Sequence, residues 1–410
     1  MSAAFIKFLL VLLLIPLIPL GWLIGSSDGL RWAYQQAEFY LPGVITLNSL
    51  EGRLLGPVTI TDLEYSQDGA TYKIARAEID WQPGALLSAW ISITQFKLQS
   101  LVIVLPKTVA QPVIPAKAEP IVLPAIHLPW RTVVKQVQIE GLSIQQDDRI
   151  YRIEQLGLTA STLFSRMEID NLSIQAGDSK LQLKGELQLA KDYRHDIELS
   201  WQTKLPSSEI LYGQGRLAGD LLSTTLGQAL SGPLRLNLDA QLSTLLQQPG
   251  WKASIDVAQF DANRLDPSLP ALSGALKLNG SGDLNTASVS ARLNGHYPEL
   301  GQFDADFKFK RLSDNTIKID KLKLKLPATD TLVETSGHWK PAADGGEVKL
   351  ALNWSKLRWP LQDKPWFSSA RGKGTVEGSL QHYQFDLDSD SPWPELVPSA
   401  WQARAEGNLQ

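Results

Sequence analysis

Acid–base and metal-ligating side chains are few and scattered in this sequence. The histidines, His127, His195, His296, His338 and His382, stand far from one another. None falls in an H-E-x-x-H pattern, the spacing that sets two imidazoles and a general base around zinc. Asp386, Asp388 and Asp390 begin like a calcium loop, with carboxylates at alternate positions. Ser391 then takes the place of the required glycine and Val397 that of the bidentate glutamate, so a solvated strand edge accounts for the triplet. Gly213-Gln214-Gly215 and Gly372-Lys373-Gly374 open like dinucleotide fingerprints, but in both the third glycine comes one residue late. No βαβ pattern surrounds either, and both are expected to be turns. Asp147-Asp148 also reads as turn chemistry. A nucleophile elbow and a Walker loop are both missing. With no cysteine in the chain, disulfides and thiol catalysis are excluded. The sequence therefore predicts neither an enzyme nor a cofactor or metal site.

Bulk properties narrow the class further. A net charge of −4 with no basic stripe excludes nucleic acid as a partner. Apolar residues make up 43% of the 410 and charged residues 20%, too apolar for a disordered chain. That length exceeds one ordinary core, so the chain is expected to be several domains or a repetitive array.

The apolar residues are distributed in two ways. At the N-terminus they form a block: Phe8 to Ile24 is unbroken and includes Phe8, Leu9, Leu10, Leu12, Leu13, Leu14, Leu17, Leu20, Trp22 and Ile24. Extended back to Phe5 with only Lys7 interrupting, the run reaches about the 20 residues that cross ~30 Å of hydrocarbon. It reads as an uncleaved membrane anchor, the alternative being a cleavable signal peptide. Lys7 and the start amine place the N-terminus in the cytoplasm and the rest of the chain outside. A helix is predicted over Asp28–Tyr40, with Asp28 as its N-cap and Pro42-Gly43 as its stop.

From Val44 onward the period is two. Leu181, Leu183, Leu187 and Leu189 alternate with polar residues, as do Leu234, Leu236 and Leu238; Phe307 and Phe309; Leu322, Leu324 and Leu326; and Leu350 and Leu352. These are the candidate lining of an apolar groove, since no matching amphipathic helices follow that could cover so much sheet. One strand every ~12 residues would give roughly 30 strands, on the order of 140 Å of sheet. A shorter repeat runs through the same region: an apolar residue followed by others at +3 and +5. Its copies are Ile60/Leu63/Tyr65, Ile93/Phe96/Leu98, Ile139/Leu142/Ile144, Ile153/Leu156/Leu158, Ile169/Leu172/Ile174 and Ile319/Leu322/Leu324. Either a β-bulge returns all three to one face, or the copies are strand ends joined by turns.

Six prolines between 106 and 129 mark a break, and Pro360 to Pro365 a weaker one. The predicted organisation is an anchor at 1–25, a helix with a first β unit at 26–105, a proline-rich linker or excursion at 106–130, and a repetitive β body at 131–410. That body stops in E-G-N-L-Q, inside what reads as another strand, as a truncated chain would.

The first 105 residues resemble the N-terminus of the TamB family. The likeness rests on G-S-S-D-G-L-R-W after the anchor, L-P-G-V, L-E-G-R-L-L-G-P-V-T-I-T-D-L-E-Y at 50–65, I-A-R-A-E-I-D-W-Q-P-G-A-L-L at 74–87 and I-S-I-T-Q-F-K-L-Q-S-L-V-I-V-L-P at 91–106. From about 130 the likeness is to the repetitive β body and extends to AsmA-like proteins. It implies a mainly β fold, an elongated sheet curled into an apolar groove (a β-taco), with the body in the periplasm of a bacterium and a single pass through the inner membrane. The function it implies is phospholipid transport towards the outer membrane. The alternative is a scaffold or chaperone for outer-membrane protein assembly. An Omp85-type barrel would be its partner through a C-terminal domain that this sequence lacks.

Overall fold

The computed structural model describes residues 17–106, 123–124, 126, 130–147, 149–342, 346–360, 365, 367–379, 382–391 and 399–407. It is mainly β, with 23 strands among the described residues. Roughly 30 were expected; several strands are longer than a 12-residue repeat allows, β6 running 16 residues, Arg131–Gln146. Two compact units divide the chain, Met1–Trp201 and Gln202–Gln410.

The first unit opens with two helices, α1 (Leu17–Gly25) and α2 (Ser27–Tyr40). Ser26, and not Asp28, caps α2: its Oγ accepts from Gly29 N at 3.0 Å. A hydroxyl one residue before the helix reaches the free N–H groups, whereas Asp28 lies in the first turn, where its charge still favours the helix dipole. Among the described residues no helix is long and apolar enough to cross a membrane. Of the predicted anchor, Phe8, Leu9, Leu10, Leu12, Leu13 and Leu14 lie outside the described residues, and Leu17, Leu20, Trp22 and Ile24 belong to the nine-residue α1.

Strands β1 (Val44–Thr46) and β2 (Ser49–Gly52) both pair with β3 (Val58–Gln67). There follow β4 (Ala70–Trp81), a 3-10 turn at Pro83–Ser88, β5 (Trp90–Val104), β6, β7 (Arg149–Leu163), β8 (Arg166–Ala176), β9 (Ser179–Gln188) and β10 (His195–Lys204), which straddles the division. From β3 to β9 each strand pairs with the next, antiparallel except for β5 and β6, which run parallel. A parallel pair requires the chain to return the full length of the strand before pairing again. The proline-rich stretch lies in sequence between these two strands, and the parallel pairing is described by their own register, Trp90 opposite Arg131 and Val104 opposite Gln145. Leu105 N donates to Gln145 O at one end and Ile126 N to Leu189 O at the other.

The second unit is a meander of β11 (Ile210–Gly219), β12 (Ser223–Ser231), β13 (Arg235–Ser243), β14 (Gly250–Asp261), β15 (Ser273–Gly282), β16 (Ala287–Tyr297), β17 (Gly301–Arg311), β18 (Ile317–Leu326), β19 (Thr331–Lys340), β20 (Glu347–Trp359), β21 (Phe367–Gly378), β22 (Tyr383–Ser391) and β23 (Ser399–Gly407). Each pairs antiparallel with its successor. One helical turn, α3 (Ala262–Leu265), interrupts the run. The glycine pairs expected to be turns lie inside β11 and β21 instead. Their reason is packing: a Cβ on Gly372 would stand 2.0 Å from the Trp354 indole, and one on Gly215 2.6 Å from Gly227 O. Glycine in a strand marks such close approaches.

Candidate functional site

Because paired residues share a face, the registers can be followed across the sheet as ladders. In the second unit one ladder runs Leu238, Ile255, Leu278, Ala291, Phe307, Leu322, Thr335, Leu352, Gly374, Leu387. Beside it run Leu230, Leu236, Val257, Leu276, Leu293, Ala305, Leu324, Val333, Trp354, and then Val289, Phe309, Ile319, Gly337, Leu350, Val376, Phe385. The structure thus brings eight of the sequence candidates, Leu236, Leu238, Phe307, Phe309, Leu322, Leu324, Leu350 and Leu352, onto one face. Leu326 packs with Phe303 and Ala305 at its margin. Leu234 precedes β13. In the first unit Val58, Ile79, Phe96, Val137, Leu158, Leu172 and Leu183 form one ladder, and Ile60, Ala77, Leu98, Ile139, Leu156, Ile174 and Leu181 its neighbour. Leu187 lies opposite Met167, and Leu189 falls just past β9.

The short repeat sits inside strands, and three copies carry the bulge. In β8, Ile169 pairs with Gly185 and Leu172 with Leu183, so three steps on one strand answer two on the other. Leu181, Leu183 and Gly185 alternate regularly, which sets Ile174, Leu172 and Ile169 on the same face. Ile319, Leu322 and Leu324 meet Gly337, Thr335 and Val333 in the same way, and β5 shifts register between Ile93 and Gln95. The other three copies hold their register because the irregular positions face one another: Asp62 opposite Ala75, and Gly141 opposite Glu154. Asp62 and Gly141 have φ of 50° and 72°. Facing two of the bulges, Gly185 and Gly337 have φ of 145° and 151°, and a Cβ on either would meet a neighbouring strand's carbonyl at 2.0 or 2.1 Å.

The opposite face is charged. Asp256–Lys277 (3.4 Å), Arg292–Asp306 (2.8 Å), Lys323–Glu334 (3.3 Å) and Lys373–Asp388 (3.4 Å) follow one another along a single ladder. Exposed pairs of this kind add little stability. Their consequence is that this face stays in water. The β18 bulge turns Asp320 between Lys310 (3.0 Å) and Lys318 (3.4 Å), and the hydrogen bond from Lys310 holds its carboxyl below the usual carboxylate range. The Asp306 carboxylate likewise raises the Arg292 guanidinium. A shallow depression of about 750 Å³ on this side is floored by small residues, including Ser254, Ser288 and Ser290, and rimmed by Arg216, Lys252 and Lys308. Among the described residues no three His, Asp or Glu side chains gather to hold a metal ion.

Burial distinguishes the apolar face from an ordinary core. Val257, Phe303, Ala305, Leu326 and Trp354 are buried, but Leu236, Leu238, Ile255, Leu276, Leu278, Leu293, Phe307, Phe309, Leu322 and Leu350 are only half-buried. Each keeps part of its surface accessible. Ile255, Leu276, Leu278, Leu293 and Trp354 are absent from the sequence candidates. The alternation A-L-K-L-N at 275–279 carried the information for two of them.

The family model for the TamB N-terminal domain matches residues 16–121, 107–344 and 276–410. The chain belongs to the TamB family. Its resemblance in the first 105 residues therefore extends through the whole sheet, including the stretch whose sequence suited AsmA-like proteins equally. No solved structure matches this TamB-family chain.

Proposed function

We propose that this chain is the membrane-proximal part of an envelope bridge: an inner-membrane anchor followed by a periplasmic sheet that curls into a groove and conducts phospholipid towards the outer membrane. The observation that carries this reading is the half-buried apolar face, whose ladders stay in register from strand to strand. An acyl chain of about 20 Å covers roughly four strand spacings. At ~0.8 kcal/mol per buried CH₂, a sixteen-carbon chain gains about 12 kcal/mol by leaving water, distributed evenly enough for it to slide. The charged ladder on the other face keeps that side in water. Transport of this kind uses no catalytic group and no cofactor. Membership of the family supports a bridging or assembly role, and an Omp85-type barrel as the outer-membrane partner belongs to the same proposal.

The test is photo-crosslinking in the bacterial envelope from position 278 or 307 and from the adjacent position 277. The expected result is phospholipid trapped at 278 and 307 and none at 277. Polypeptide trapped at 278 and 307 in place of lipid would refute conduction and favour the assembly scaffold.

A further inference from the structure

The two rims of the first unit's sheet, the rows of turns at opposite ends of its strands, differ in kind. One rim is tied to the N-terminal helices. Leu55 N donates to Ile24 O in α1 over 2.9 Å, and Trp81 Nε1 donates to Leu54 O over 2.8 Å. Trp81 ends β4, so the Pro83–Ser88 turn stands on this rim. Trp90 and Arg131 begin β5 and β6 as register partners, and Thr132 pairs with Thr162 just before the turn between Leu163 and Arg166. The rim therefore runs from α1 to β8. Its turns are apolar: Leu86, Leu87, Trp90, Trp130, Leu163 and Phe164 are exposed, Leu87 at 94% and Phe164 at 61%.

The opposite rim is built from the turns at Gln67–Ala70, Gln146–Arg149 and Ala176–Ser179, which carry Asp68, Asp147 and Asp178. Phe39, Tyr40, Val44, Ile150 and Tyr151 are also exposed towards that end, so the rims are distinguished by charge: a lipid surface there would meet three carboxylates. Single exposed leucines need no explanation; a row of them continuous with an apolar helix does. Its residue types fit one occupant. Indoles and leucines suit the boundary between headgroups and acyl chains, and the Arg131 guanidinium, stacked 4.3 Å from the Trp90 ring centroid, is a cation placed for lipid phosphate.

We propose that this rim lies in the headgroup region of the bilayer that holds the N-terminal helix, with the Pro83–Ser88 and Leu163–Arg166 turns dipping into it. The first strands then open their apolar face directly onto lipid. The inference rests on the anchor reading of the N-terminus.

The experiment uses the full chain in phosphatidylethanolamine/phosphatidylglycerol vesicles. Because the chain has no cysteine, Leu87→Cys, Phe164→Cys, Asp68→Cys and Asp178→Cys each give a single labelling site. Each is labelled with an environment-sensitive dye, and the vesicles carry a quencher at shallow acyl depth. Loss of fluorescence at 87 and 164 with none at 68 and 178 is expected. Silence at 87 and 164, as a protein-docking rim would give, or equal quenching at all four, overturns the proposal. A Leu20→Cys label reads the anchor separately. Quenching at 20 with silence at 87 and 164 overturns the rim alone, and quenching at 87 and 164 with silence at 20 overturns the anchor alone.

Discussion

Leu278 and Lys277 are neighbours in β15 whose side chains leave the sheet on opposite faces: Leu278 stands between Ile255 and Ala291 in an apolar ladder, and Lys277 pairs with Asp256 at 3.4 Å. Leu278→Asp removes a half-buried side chain worth about 1.5 kcal/mol of contact with a lipid lying over it. It also sets a carboxylate beneath the acyl chain; covering even a neutral polar group there costs about 1–3 kcal/mol more, and a charge exceeds that. The sum, a lower bound of about 2.5–4.5 kcal/mol, lowers lipid occupancy at that rung by roughly two to three orders of magnitude or more. Leu278→Asn, similar in size and uncharged, should lose less. Lys277→Ser should lose nothing. The assay is phospholipid co-purifying with the full chain, quantified by mass spectrometry, with hydrogen exchange across β14–β16 confirming an intact sheet. Because Leu278 is only half-buried without lipid, the fold should tolerate the change. Wild-type lipid content in Leu278→Asp with the sheet intact, or an equal loss in Lys277→Ser, would refute the face assignment and with it the groove.

Two further outcomes follow from the bulges. Gly337→Ala drives a Cβ to 2.1 Å from Lys349 O and should cost about 2–5 kcal/mol, whereas Gly141→Ala, at φ 72° with its nearest neighbour at 3.8 Å, should cost only about 1 kcal/mol of backbone strain. Amide exchange should rise around β19 and β20 in the first variant and change little around β6 in the second; equal effects would contradict the registers. Asp320 is ionised against Lys310 and Lys318 with its pKa lowered by folding, so its contribution is present above the unfolded carboxylate range and is lost as pH falls through the lower folded value. Exchange protection in β18 should decay on that acid limb in the wild type, and Asp320→Asn should start lower and lack the dependence.

Much of this was legible in the sequence. Alternation such as that at Leu181–Leu187 or Leu322–Leu326 identifies strands because side chains on an extended backbone change face at every residue, a local rule needing no partner. The helix at 28–40 was legible for the same kind of reason. Its cap was misassigned by two residues because Ser26 and Asp28 are both competent and only the backbone geometry chooses between them. Gly372 read as a turn because a glycine's sequence neighbours do not reveal that Trp354, 18 positions away, lies over it.

Sequence alone therefore marked the chain as β, gave its alternating stretches one apolar side, and made the first 105 residues look like TamB. Which strands pair, and in what register, was decided only by the tertiary structure, because hydrogen bonds between strands join residues whose separation along the chain carries no periodic mark. The parallel pairing of β5 and β6 across the proline-rich stretch is the clearest case. The bulge of β8 against β9 is another, since an extra residue in one strand acquires a meaning only opposite a regular partner. Register turns scattered leucines into continuous ladders, and it gathers the exposed turns at Leu87 and Phe164 onto the rim that holds Ile24.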